Sequence, residues 1–219
     1  MTFRHGGDRG QAFPIYVMMV VGLLFLAFAF FAVGKASAVR NGAQGAADAA
    51  ALAAAQDARD RMGPAFLAAL LTPNGLGDFL DNSGRFDEDH PCYEAQVLAA
   101  KNDSDVIEGN DGCSANFLGD EITVEVRTRY TVGESVIPGT ERRHGTAKAT
   151  AAIDFRCLVP RDEPDDDGSP GEDEGADDEP GPITLDCAGE PRLVIDPTDP
   201  DIWKSVSKTL FTVHLVDAG

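Results

Sequence analysis

Four cysteines, Cys92, Cys113, Cys157 and Cys187, carry the most definite chemistry in this chain. A thiol can ligate a metal, act as a nucleophile or pair with a second thiol, and spacing separates these uses. No two of the four form a C-x-x-C pair, and of His5, His90, His144 and His214 only His90 lies near a cysteine. Neither a zinc site nor another metal centre is therefore expected. An even number of cysteines beyond a membrane span reads better as two disulfides, which persist in an oxidising, extracytoplasmic compartment. No G-x-S-x-G, H-E-x-x-H or Walker sequence occurs, and no local context assembles Ser, His and Asp into a triad. No catalytic residue and no cofactor is expected. The run Asp165-Asp166-Asp167-Gly168-Ser169 fails the register of a calcium-binding EF-hand loop.

The net charge of −19 is unevenly placed: residues 158–186 hold twelve Asp and Glu against Arg161 alone. Such acidity argues against nucleic acid, and against anionic lipid head groups, as partners. The segment at about 160–182 is too polar to bury a core and is expected to be a disordered acidic insert.

The elements that must position the cysteines begin with a helix. Ala12 to Val33 is a run of 22 apolar or small residues without a charge, and about 20 suffice to cross a bilayer core of roughly 30 Å. Ala36-Ser37-Ala38 resembles a signal-peptide cleavage site, but the apolar run exceeds the usual h-region and Lys35 intrudes before it, so a retained anchor is expected. Arg4 and Arg9 before the span balance Lys35 and Arg40 after it, so the cysteines set the orientation, with a short cytoplasmic tail and the remainder outside.

Beyond the span, Asn41 to Ala55 is alanine-rich and unbroken until Gly63-Pro64. One helix from Ala12 to Met62 would measure on the order of 75 Å. Arg40, Gln44 and Asp48 make a polar stripe, and Leu52 is almost the only bulky apolar residue before Met62. Such a surface is too shallow for a deep core but admits close approach of another helix. It reads as a solvated spacer or as an assembly face built on Ala46, Ala47, Ala50, Leu52 and Ala54. A second apolar helix is expected from Pro64 to Leu71, a loop over 74–91, and a helix over Cys92–Lys101. A strand alternates from Ile122 to Val132, Gly145–Cys157 is its antiparallel partner, and Ile183–Asp186, Leu193–Asp196 and Phe211–Val216 are shorter strands. Asp201 to Lys208 reads as a helical turn carrying Trp203.

The block Arg9-Gly10, the apolar run and Gly45-Ala46-Ala47-Asp48-Ala49-Ala50-Ala51-Leu52-Ala53 resemble the tight-adherence (Tad/Flp) pilus-assembly proteins of the TadE/TadG-like type. A second resemblance, to pilin-like TadE relatives, covers Cys92, Ala99-Ala100-Lys101-Asn102, Cys113 and Ile122–Val126. Pseudopilins cut by prepilin peptidase carry a Glu five residues after the cleavage glycine, where this chain has Ile15, so the resemblance implies an uncleaved, membrane-retained role.

It further implies an α+β protein that is a structural subunit of a pilus or secretion apparatus, without activity of its own. The expected parts are a cytoplasmic tail at 1–11, a transmembrane helix at 12–34, a helical stalk at 35–72 and a small pilin-like extracytoplasmic head with an antiparallel sheet at 73–219. Its partners would be other apparatus membrane subunits and the lipid bilayer, with no nucleic acid. Local pairing of Cys92 with Cys113, the two cysteines of that second resemblance, and of Cys157 with Cys187 is expected. The rival reading is an anchored module that captures an external ligand.

Overall fold

A computed structural model describes residues 12–72, 75–82, 89–109, 112–116, 120–134, 138–158, 182–189, 192–199 and 201–217. The tail at 1–11 and all but the last residue of the insert expected at about 160–182 lie outside these ranges. The first helix, α1, runs unbroken over Ala12–Arg61. Its first half leaves nearly every large apolar side chain uncovered, from Phe13 at 74% exposed to Val33 at 67%. By length and composition it can cross a membrane.

Three shorter helices follow, α2 (Gly63–Leu70), α3 (Gly75–Asn82) and α4 (Asp89–Lys101), then strands β1 (Ser104–Val106), β2 (Cys113–Ala115), β3 (Glu121–Thr131), β4 (His144–Phe155), β5 (Cys157–Leu158), β6 (Ile183–Cys187) and β7 (Leu193–Ile195). Helix α5 (Ile202–Leu210) and strand β8 (Phe211–Val216) are the last described elements. The main sheet has the order β1-β3-β4-β8, with β2 also on β3, and every pairing is antiparallel. Strands β5, β6 and β7 make a small second sheet. The fold is α+β, a long N-terminal apolar helix followed by an antiparallel sheet domain.

The expected loop over 74–91 is corrected in part, because α3 occupies Gly75–Asn82. Leu76, Phe79 and Leu80 recur at helical spacing, and Leu76 and Phe79 rest against the core. Between α4 and β3 the chain also contributes β1 and β2, to which the sequence reading assigned no strand and which are held by their ladders to β3 rather than by propensity.

The second half of α1 is no free stalk. Ala43, Ala46, Ala47, Ala50, Ala51, Ala54, Ala55 and Ala58 are at most 1% exposed, and they pack against β3, β4 and α4. The sheet meets them with Ile122, Val124 and Val126 of β3, placed opposite Ala151, Ala149 and Ala147 of β4. At the near end a Cβ on Gly145 would stand 2.7 Å from the Val39 carbonyl and 3.1 Å from the Ala43 methyl. Small residues on both sides therefore let helix and strand backbones approach closely. The expected stalk at 35–72 and head at 73–219 are thus one body from about Val39 onward.

The far end of this seam is aromatic. Phe66, fully buried, lies 5.4 Å from the Trp203 ring centroid, 5.6 Å from Phe79 and Phe211, and 6.1 Å from Phe155. Pro64 lacks the N–H that would continue α1, and the break at Gly63 makes room for the indole: a Cβ there would sit 2.6 Å from Trp203 Cδ2. Trp203 Nε1 donates to the Asp60 carbonyl at 2.9 Å, satisfying one of the acceptors that a helix end leaves open.

Two measurements check this packing on the full chain in detergent. Ala50→Leu overfills the seam and should destabilise the head by about 1–3 kcal/mol, whereas Gln56→Glu on the exposed side should change it by less than about 0.5 kcal/mol. Unchanged melting of Ala50→Leu would mean that the alanine face is not a core. Phe66→Ala removes the ring that four others share and should lower the melting temperature by on the order of 10 °C; a shift of only a degree or two would contradict its central place.

Candidate membrane-anchoring site

The site is built on α1, whose first half is long and apolar enough to cross a bilayer and whose second half packs in the head. From Phe13 to Phe31 it presents nearly every side chain to its surroundings, all round, as a helix in lipid does. Covering begins immediately afterwards. Lys35 Nζ donates to the Glu134 carbonyl at 3.4 Å, beyond the end of β3, and lies 5.2 Å from the Phe31 ring centroid. The Tyr130 hydroxyl lies on Gly42, where a Cβ would displace it. Since Lys35 is two residues past Val33, about 3 Å along the helix axis, the end of the β3–β4 hairpin reaches back to the end of the apolar run.

Both disulfides join the cysteines that local pairing predicts. Cys92–Cys113 has Cα atoms 5.8 Å apart and ties α4 to β2. Cys157–Cys187 has Cα atoms 4.0 Å apart and joins directly opposed residues of β5 and β6. The second closes the chain around the acidic segment, which in the chain-entropy picture contributes about 3–4 kcal/mol. Among the described residues no group of three His, Cys, Asp or Glu side chains is placed to hold a metal ion.

The face expected to receive other subunits is occupied by the chain itself. Ala46, Ala47, Ala50 and Ala54 are covered by the sheet and α4, and Leu52 is partly buried against the same core. What sequence reading missed is the complementary column Gly145, Ala147, Ala149 and Ala151 in β4. Its alternation of small residues at period two is the signal that something as smooth as an alanine helix lies on it.

The fold's outer surface holds one charged ladder of note. Arg129 Nε donates to Asp105 Oδ1 at 2.8 Å across β3 and β1, and this bond holds the Asp105 carboxyl below the usual carboxylate range. The pair is solvent-exposed, which makes it a weak contributor to stability.

No curated protein and no solved structure matches this chain. A family match begins at the start of α1 and stops before α2, α4 and every strand. Residues 10–57, the apolar span together with the buried alanine face, match the family described as putative Flp pilus-assembly TadE/G-like, the family that the sequence resembles.

Proposed function

We propose that this chain is a membrane-anchored structural subunit of a Tad/Flp-type pilus or related secretion apparatus, with its N-terminus in the cytoplasm and its head outside. One observation carries the reading: the family match over residues 10–57 coincides with the helix that is bilayer span in its first half and head core in its second. A head folded onto its own anchor is a rigid part whose position is fixed relative to the membrane. That suits a component that must be held in register with neighbours. The two disulfides support the outward orientation, because such bonds persist in oxidising compartments. With the alanine face covered, contacts to other membrane subunits fall to the exposed span and to the outer surface of the head.

Two results are expected. In intact cells with a permeable outer boundary, a membrane-impermeant maleimide should leave the four cysteines unlabelled until a reductant is added, and a tag on the N-terminus should resist external protease. Cysteines still unlabelled after a membrane-impermeant reductant, or a cleaved tag, would contradict the orientation, and labelling before reduction would contradict the disulfides. A photo-crosslinking residue at Leu24 or Phe28 should capture other subunits in cells that make the apparatus, while one at Ala50 should yield only links within the chain. Capture of partners at Ala50 instead would return the alanine face to the assembly surface.

A further inference from the structure

The net charge of −19 conceals a basic cleft at the membrane-facing end of the head. Between Arg127 and Thr131, β3 advances four residues while β4 advances two, from Thr146 to His144. This bulge bends the hairpin and re-aims its side chains. The backbone inside the irregularity is satisfied locally: Gly145 N donates to Thr128 Oγ1 at 2.9 Å, and His144 Nδ1 donates to the Thr128 carbonyl at 2.6 Å. Outside it opens a cleft of about 920 Å³ whose lining includes Arg127, Arg129, Arg142, Arg143 and His144.

Two carboxylates, Asp105 and Glu108, also line the cleft. Asp105 is engaged by Arg129. In the adjoining turn, Glu141 Oε2 accepts from the Gly139 N–H at 2.9 Å. Among the described residues, Arg127, Arg142 and Arg143 are exposed and have no ion-pair partner. Four guanidinium groups outnumber the two carboxylates of the cleft, and the three without an ion pair suit a phosphate, which accepts their N–H groups in pairs.

The cleft also has a fixed height. Gly145 touches Val39, which stands six residues beyond Val33, or about 9 Å along the helix. A head-group layer is about 6 Å thick on each side of the hydrocarbon core, and an arginine side chain spans the remaining gap. The acidic segment attaches at Leu158 and Ile183, which line a separate groove with Phe155, Leu70 and Leu76 at the opposite end of the head. From Gly145 to Phe155, β4 covers about 33 Å. The residues at which the segment attaches thus stand some four Debye lengths from the cleft at physiological salt.

Resting on the membrane-anchored reading, we propose that this cleft binds the phosphate of anionic phospholipids in the leaflet on which the head stands, fixing the head's tilt and rotation on its anchor. Net acidity argues against such a partner for the chain as a whole, and the local arrangement reverses that argument at this one end.

The test uses the full chain in maltoside micelles, titrated with dioctanoyl-phosphatidylglycerol, dioctanoyl-phosphatidylcholine or inorganic phosphate, with bound ligand counted by native mass spectrometry. The phosphatidylglycerol should bind more tightly than the phosphatidylcholine, and high salt should weaken it. Each arginine near a membrane surface is worth about fivefold, so the double variant Arg142→Gln, Arg143→Gln should lose on the order of 25-fold. Arg127→Gln should lose about fivefold, and Lys208→Gln on α5 nothing. Equal binding of both lipids, or retention by both arginine variants, would overturn the proposal. Inorganic phosphate binding as tightly as the phosphatidylglycerol would overturn the lipid source in favour of a soluble anion. Carbonate extraction of wild-type membranes keeps the two readings apart. A chain that stays in the membrane without lipid preference loses only the cleft assignment, and one that is extracted loses the anchor and the cleft together.

Discussion

The close approach of α1 to β4 is the constraint on which the rest of this molecule depends. Gly145, Ala147, Ala149 and Ala151 present almost no side-chain volume, and neither do Ala43, Ala47, Ala50 and Ala54 opposite them. Each contact is small, because an alanine methyl removes little area from water. The contacts are nevertheless numerous and tightly fitted, and dispersion between close-packed atoms sums over the whole length of the seam. Larger residues on either side would hold the backbones apart and weaken the fit at every other level. The polypeptide thereby commits half of its longest helix to the head while leaving the other half for the membrane.

A shallow core needs closure at its edges. At the far end, Phe66, Phe79, Phe155, Trp203 and Phe211 supply the bulk that the alanine seam lacks. The indole there fills the notch at Gly63 while its N–H answers the open carbonyl of Asp60. The disulfides act where apolar burial is thinnest. One fixes α4, whose buried side chains among those described are Pro91, Ala95 and Ala99, to a three-residue strand. The other holds the two-residue strand β5 against β6 where a long acidic excursion would otherwise separate them. Both bonds replace packing that these short elements cannot provide.

Much of this was legible in the residues, and the parts that were not have definite causes. Strict alternation from Ile122 onward fixed both the existence of β3 and its inward face, since Ile122, Val124, Val126 and Thr128 are the buried positions. The cysteine pairing followed from locality and from the family pattern. The role of the alanines was misread because burial usually announces itself through bulky side chains, and a helix of methyl groups looks the same whether solvated or covered. Only its partner strand distinguishes the cases, and that partner lies about a hundred residues away. Helix α3 was hidden by Gly75, Gly77 and Asp78, which lower propensity; packing of Phe79 on Phe66 overrides it. The basic cleft was invisible for another reason: Arg127 and Arg142 are brought together by a bulge, which no local pattern encodes.

The same geometry limits how such a subunit can behave. A domain on a flexible linker samples many orientations, and each partner it meets must offset the entropy of choosing one. Here the hairpin reaches Lys35, two residues past the apolar run, and Tyr130 rests on Gly42 about two turns further on. Only about one and a half turns of helix, from Gly34 to Ala38, separate the apolar run from the packed seam, and Lys35 within them already meets the hairpin. Rotation of the head is therefore rotation of the transmembrane helix itself, and any neighbour that grips the span also orients the surface above it. In the proposed assembly of membrane-rooted subunits, that coupling would let the arrangement of the helices in the plane of the membrane set the positions of the heads.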